Sequence, residues 1–271
     1  MDTKPQSRRF YTGKVFLVFV LMATCRHIFA QATFLIWPIY PNIESNEKAT
    51  AVWLENTGKS EALIQVRVFK WDQQQYKDNY EIQSEIIPSP PVVKIKAGTK
   101  NMLRLTRIMP APLNTEQAYR VIVDELPIQL ENTSSQNIAV NFQIRYSIPL
   151  FSYGQGMGSG LTDASIIANA KNPLAQPNLS YWTEKNKDGE ATLYIKNTGS
   201  KFARISEIRM HEKSDPLNFN YVPLGYILAN STMTFHLSSQ LAERIQNSSQ
   251  LYAVDSSGAA LKVILLKRVG Q

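Results

Sequence analysis

Cysteine is almost missing from this chain of 271 residues. The one present, Cys25, lies in a basic-then-apolar leader, so the chain beyond the leader has no disulfide framework and no thiol chemistry. Histidine is nearly as scarce. Beyond the leader only His211 and His236 occur, with no CxxC or HExxH spacing around them, so a zinc cluster has no ligands to draw on. The glycine-rich segment 156–160 reads GMGSG, which is not a nucleophile elbow. It also comes after a strand without opening a helix, so it is no dinucleotide loop. Asp124 and Glu125 are adjacent and fall on opposite faces of a strand, which excludes a paired acid–base device within that dipeptide. The expectation is a protein without catalytic residues, metal or cofactor, and not an enzyme.

A membrane-spanning apolar run is also missing. Lys4, Arg8, Arg9 and Lys14 precede the short apolar run Val15–Thr24, and Ala30-Gln31-Ala32 supplies a small-x-small cleavage site. This is the pattern of a secretory signal peptide over residues 1–32, with a mature start at Thr33. A lipoprotein anchor on Cys25 competes with it, but Met22 and Thr24 suit lipoprotein recognition poorly. The leader contributes five basic residues and Asp2, a net of +4 out of the chain's +7. About +3 then remains for the mature protein, which argues against a nucleic-acid partner. The mature protein is expected to be exported and not membrane-embedded.

What the chain has is β-texture. In Asn137–Phe151, NIAVNFQIRYSIPLF, the residues Ile138, Val140, Phe142, Ile144, Tyr146 and Ile148 recur at every second position, so they share one face of an extended strand. Ala139, Asn141, Gln143, Arg145, Ser147 and Pro149 occupy the other face, so one side alone looks dry. Two readings are open: a core strand of a sandwich, or a strand with apolar residues to spare that pairs with a second polypeptide. Upstream, TFLIWPIYP (33–41) is interrupted by Pro38 and Pro41, as befits an edge strand that bends or switches. KATAVWLENTG (48–58), ALIQVRVFKW (62–71), IIPSPPVVKIKAGTK (86–100), MLRLTRI (102–108) and AYRVIVDELP (118–127) supply further strands and turns. The spacing predicts an immunoglobulin-like sandwich.

The second half echoes the first. AVWLENTGKSEALIQVRVF (51–69) resembles TLYIKNTGSKFARISEIRM (192–210), with Asn-Thr-Gly turns beginning at Asn56 and Asn197. Two related sandwich domains are expected, over 33–153 and 161–271, joined by a glycine-rich hinge at 154–160. Strands are expected at Ala191–Asn197, Ala203–His211, Met233–Leu237 and Leu261–Val269, and a short helical turn at Leu241–Gln246. The fold class is all-β. Among the basic residues, Arg104, Arg107, Arg120 and Arg145 lie in or beside strands of the first domain. If the strands carrying Arg120 and Arg145 pair antiparallel, the two guanidiniums are expected at one end of the sandwich near the hinge, suited to a carboxylate. The bland alternative pairs each with a local acid, Asp124 or Glu125.

TFLIWPIYP (33–41), KATAVWLENTG (48–58), SEIIPSPPVVKIKAG (84–98), MLRLTR (102–107), EQAYRVIVDELP (116–127) and FQIRYSIPLFSYG (142–154) together resemble the periplasmic pilus-assembly chaperones of the chaperone–usher pathway, a PapD-like family, in its archaic branch. The resemblance spans nearly all of the first domain and is looser in the second. It implies two immunoglobulin-like domains in an L or boomerang arrangement, a periplasmic location, and pilin subunits and an outer-membrane usher as partners. It also implies donor-strand complementation, itself a known case of recognition by strand addition. The donor would be the 137–151 stretch, with Ile138, Val140, Phe142, Ile144 and Tyr146 as the residues offered to the subunit. Other branches anchor the subunit's terminal carboxylate with an Arg on the first strand and a Lys on the last. Here those places hold Tyr40 and Pro149, so Arg120 and Arg145 are expected as substitutes, with Arg104 in reserve. The exposed strand edges admit a self-capping homo-oligomer when no subunit is bound.

Overall fold

A computed structural model describes residues 34–127, 143–219 and 224–269. The leader and the candidates Ile138, Val140 and Phe142 lie outside the described residues. Among the described residues, ten strands precede the glycine-rich segment: β1 (Phe34–Trp37), β2 (Asn42–Ile43), β3 (Ala49–Asn56), β4 (Ala62–Gln74), β5 (Lys77–Ile82), β6 (Ile86–Ser89), β7 (Val92–Ile95), β8 (Lys100–Arg107), β9 (Glu116–Leu126) and β10 (Arg145–Tyr153). They form one sheet in the order β1-β3-β8-β6 and a second in the order β2-β10-β9-β4-β5, with β7 also on β4. The prolines at 38 and 41 act as the sequence suggests. β1 ends before Pro38 and pairs with β3, whereas β2 begins after Pro41 and pairs with β10, so the chain changes sheets where a ladder cannot run. Between the sheets lies a core of alternating residues, among them Val52, Leu54, Ile64, Val66, Leu103, Leu105, Val121, Val123, Ile148 and Leu150.

After the glycine-rich segment come β11 (Leu179–Lys185), β12 (Ala191–Asn197), β13 (Ala203–Arg209), β14 (Gly225–Ile227), β15 (Thr232–Leu237), β16 (Gln250–Asp255) and β17 (Lys262–Arg268). Their ladder runs β14-β13-β16-β17-β11-β12-β15 around a core of its own that includes Tyr181, Leu193, Ile195, Ile205, Ile208, Leu251 and Leu266. The expected helical turn is a helix, Ser239–Gln246, capped by Ser238 and burying Leu241, Ala242 and Ile245. A second helix, Asp163–Lys171, has no counterpart in the sequence reading. It buries only Ser165 and is held at its start by a reciprocal cap between Thr162 and Ser165, so it carries no apolar stripe to read.

The repeated turn has a structural cause. Asn56 is fully buried, and its amide donates to the carbonyls of Ser60 and Ile95 while its oxygen accepts the Gly58 N–H. Asn197 is equally buried. It donates to Lys201, Ile227 and Leu228 carbonyls and accepts the N–H groups of Asn178 and Gly199. Each asparagine ties its own turn to a neighbouring loop, supplying donors and acceptors that buried backbone would otherwise lack.

The segment that joins the two sandwiches is closely packed. A Cβ at Gly154 would lie 1.7 Å from the Pro112 carbonyl oxygen, and one at Gly158 would lie 2.6 Å from the Ser165 side chain. Glycine here serves close approach. Glu44 accepts hydrogen bonds from the Ser159 N–H and hydroxyl, and Lys201 donates to the carbonyls of Gly158 (2.7 Å) and Ser159 (3.1 Å). A third apolar cluster fills the space between the sandwiches: Trp71, Ala118, Phe151, Tyr153, Met157, Ala175, Phe202 and Leu228, with Tyr226 beside them. Phe151 stacks on Phe202 at 3.8 Å between centroids. This corrects the expectation of a strand dry on one side only: from Ile148 to Tyr153, β10 is buried on both faces, because the second sandwich covers the face that the alternation left over.

Candidate functional site

Among the described residues, β10 is paired along its length on one side and only at its end on the other. Its antiparallel partner β9 matches Arg145 with Asp124, Ile148 with Val121 and Tyr153 with Glu116, whereas β2 on its other side reaches only Phe151 and Ser152. The bonding direction comes from the register. Glu125 donates its N–H to the Ile144 carbonyl, so Ile144 and the even positions after it face β9, and the odd positions face away. Consistent with this, the Phe151 N–H points to the Pro41 carbonyl. Among the described residues, the outward edge therefore offers the N–H groups of Arg145 and Ser147 and the carbonyls of Arg145, Ser147 and Pro149. Proline fits at 149 because its missing N–H would face this edge, so the β9 ladder loses nothing.

Behind that edge the side chains alternate as the sequence reading expects. Ile148 and Leu150 are in the core, and Tyr146 packs against it. The Tyr146 hydroxyl donates to the Phe34 carbonyl at 3.0 Å, which brings β1, the edge strand of the other sheet, beside β10. Ile144 is half-buried. The two strand edges thus lie next to each other, with exposed Leu35 and Ile39 along the first.

The arginines are not together. Arg145 faces Asp124 in the register and Arg120 faces Pro149, so four ladder positions, about 13 Å, separate them along the strands. Arg145 was expected late in its strand, but β10 starts there, which moves it away from the joint. Its Nε donates to Asp124 at 2.5 Å, and Arg67 donates to the other oxygen at 2.7 Å. Burial alone would raise the Asp124 pKa, but the hydrogen bonds from Arg145 and then Arg67 hold it below its usual range. Arg145 thus fits the local-acid reading. Arg104 is exposed and sits opposite Ala51 and Ser89 in the β1-β3-β8-β6 sheet. Arg107 is buried and structural, donating to Ser152, to the Tyr153 carbonyl and to the carbonyls of Glu44, Ser45 and Glu47.

Arg120 does reach the joint. Its guanidinium lies 3.8 Å from the Trp71 ring centre and 5.4 Å from that of Tyr226, and its enclosed Nε has no acceptor. A further guanidinium, absent from the sequence reading, comes from the second sandwich. Arg204 lies 4.5 Å over the Tyr40 ring and 6.0 Å from Tyr226, beside a cavity of about 130 Å³ lined by Tyr40, Asn42, Phe151, Phe202 and Tyr226. No spacing rule in the sequence links residue 204 to residue 40; tertiary packing alone brings them together. Among the described residues no carboxylate lies within ion-pair distance of Arg120 or Arg204.

Residues 40–156 match the family described as pili and flagellar-assembly chaperones, PapD N-terminal domain. The chain is 52% identical to a protein in the crystal structure of the CsuC–CsuE chaperone–tip adhesion subunit pre-assembly complex from archaic chaperone–usher Csu pili of Acinetobacter baumannii, covering 88% of this chain and 100% of that one, with a TM-score of 0.75. This chain belongs to the PapD-type pilus-assembly chaperone family. The YadV chaperone (19% identity, 87% and 100% coverage, TM-score 0.54) and the Salmonella enterica complex of SafA pilin with the SafB chaperone (12%, 88% and 97%, TM-score 0.56) share the fold. No curated protein sequence matches the chain. No helix among the described residues is long and apolar enough to cross a membrane.

Proposed function

We propose that this PapD-type chaperone is exported to the periplasm and binds pilin subunits by donor-strand complementation through residues 137–151. It then hands them to an outer-membrane usher. The observation that carries this reading is the open edge of β10, preceded by the alternating run from Ile138 to Tyr146. A subunit one strand short of a closed sandwich gains a main-chain ladder from Arg145 and Ser147, and apolar side chains for its groove from Ile138, Val140, Phe142 and Ile144. Each large apolar side chain fully buried contributes roughly 1.5–3 kcal/mol, so several of them together with the ladder can offset an association cost of about 4–15 kcal/mol. The similarity to a protein solved with a tip adhesion subunit supports a pilus subunit as the partner. Arg120, at the joint and without a carboxylate partner, is the better of the expected anchors for a subunit's terminal carboxylate. When no subunit is present, the same edges can be capped by a second copy.

The test is periplasmic co-expression with a pilin of the same operon, then copurification. The wild-type chain is expected to give a stable one-to-one complex. Changing Val140, Phe142 and Ile144 to polar residues is expected to abolish it while the chaperone still folds. Equal copurification of a folded variant would move the binding surface elsewhere.

A further inference from the structure

With the residue before it, β17 reads LKVILLKR (261–268), apolar on both faces. The even positions serve the core: Leu266 is buried in it and Ile264 packs against it. The odd positions do not, for Leu261, Val263 and Leu265 are 72%, 44% and 40% exposed. Those odd positions are also short of backbone partners on one side. The Val269 N–H donates to the Tyr181 carbonyl, so the odd residues of β17 turn their N–H and C=O groups toward β11. Among the described residues, the pairing with β11 begins only at Lys267, opposite Ser180, so Val263 and Leu265 face no strand there. The chain before β11 does not close the gap. Pro177 has no N–H, and the Ala175 and Gln176 N–H groups are turned back on the Asn172 and Leu174 carbonyls. Ala175 is itself drawn into the apolar cluster at the joint.

The gap is a cleft of about 650 Å³, inside the range of about 300–1,000 Å³ common for binding clefts. Val263 and Leu265 form one wall, the helix Asp163–Lys171 presents Ile166 on the other, and Gly258, Ala259 and Ala260 leave the mouth without large side chains. The edges of β1 and β5 end their ladders, whereas this one lies within a ladder, between two strands that pair further along. The charged groups lining the cleft decide what fits. Asp255 is buried, and its oxygens accept the Arg204 N–H and the N–H and hydroxyl of Ser257. Lys201 is buried on the Gly158 and Ser159 carbonyls. Lys262 is the exposed charge of the three, and Lys267 stands exposed on the face of β17 that carries Val263 and Leu265. An apolar cleft with a free main-chain edge and a cationic rim suits an extended segment that alternates apolar residues with carboxylates. We propose that this cleft is a strand-accepting site of the second sandwich, binding an extended acidic and apolar segment of a partner protein by ladder addition to Val263 and Leu265. It does not depend on subunit binding at β10.

The measurement uses the isotopically labelled full chain and three end-blocked synthetic peptides. These are EVTVEVT, its lysine counterpart KVTVKVT, and a fully N-methylated EVTVEVT that keeps the side chains but has no N–H donors. With EVTVEVT at saturation, the Val263 and Leu265 N–H groups are expected to exchange with solvent at least about tenfold more slowly. Those of Ile264 and Leu266, which face β16, should not change. KVTVKVT is expected to bind about tenfold or more weakly, and the N-methylated peptide not to bind. Lys262→Glu combined with Lys267→Glu is expected to reverse the preference between the two charged peptides. Should that double reversal disturb folding, Lys262→Gln alone is expected to narrow it. Protection confined to Arg145 and Ser147 on β10, or absent throughout, would overturn the proposal. Equal binding of the two charged peptides, or binding of the N-methylated one, would make the cleft an unselective apolar surface and would overturn it as well.

Discussion

At the scale of single residues, the two buried asparagines carry more of the fold than their turn signature suggests. Asn-Thr-Gly is legible as a turn, and its recurrence at 56 and 197 reveals the internal repeat. What cannot be read is that each side chain satisfies backbone groups of distant loops, Ile95 in one case and Ile227 and Leu228 in the other. Asn197→Ala would leave several buried carbonyl and N–H groups unpaired at once. At about 1–3 kcal/mol for each group not rescued by water, the variant is expected to lose about 3 kcal/mol or more. Urea unfolding at unchanged slope would show this as a lower midpoint, and a midpoint equal to wild type would contradict the role assigned to the side chain. The arginines teach the complementary lesson. Their number and strand location are visible in the sequence, but which of them keeps a free head depends on register and on the second sandwich. Arg145 meets Asp124, whereas Arg120 and Arg204 meet aromatic rings.

Among the elements, alternating strands were legible because one face of each is dry. β3, β4, β8, β9, β12, β13, β15 and β17 all fall where period-two patterns predict them. Three of the elements that the patterns do not predict have physical reasons. β5 (KDNYEI) is exposed almost throughout and offers no dry face; it exists because β4 runs on past the core into a tight turn, with positive φ at Gln75 and Tyr76. β14 has three residues, too few for a pattern. The helix Asp163–Lys171 rests on a cap, not on a stripe. β10 takes up only the later part of the run expected over 137–151, of which residues 137–142 lie outside the described ones, and its two faces differ from the expectation, since no local signal announces that Phe151 will stack on Phe202. Its functional edge was legible only in part: alternation gives the face, but the direction of each N–H needs the register with β9.

The whole molecule is held at its joint by buried polar contacts that respond to pH. The Glu116 carboxylate accepts the Phe202 N–H at 2.8 Å. Enclosure pushes its pKa up to about 7, opposed by Lys201, the Phe202 N–H and the nearby Tyr153, while Asp255 adds repulsion. Lys201, whose own pKa burial lowers, is faced in turn by Glu116 and Glu44. Linkage sets the sign. Below about pH 4.5 Glu116 is protonated in both states, so it adds no pH dependence. Between 4.5 and about 7 only the unfolded chain ionises there, and the native state loses up to about 3 kcal/mol of stability as pH rises. Glu116→Gln is therefore expected to gain on wild type across that window and to hold a constant lead above it, read from denaturant midpoints at each pH. Parallel profiles for the two proteins would contradict the assignment.

The central claim, that β10 lends its open edge to a pilus subunit, is tested most directly by residue-resolved hydrogen exchange on the chaperone alone and in complex with a pilin. The register assigns the Tyr146 and Ile148 N–H groups to β9, so both should exchange slowly in either state. Arg145 and Ser147 face the open edge and should exchange fast when free and slowly once a subunit strand is added. If Arg145 and Ser147 exchange as fast in the complex as without it, the subunit does not pair with this edge and the account is wrong.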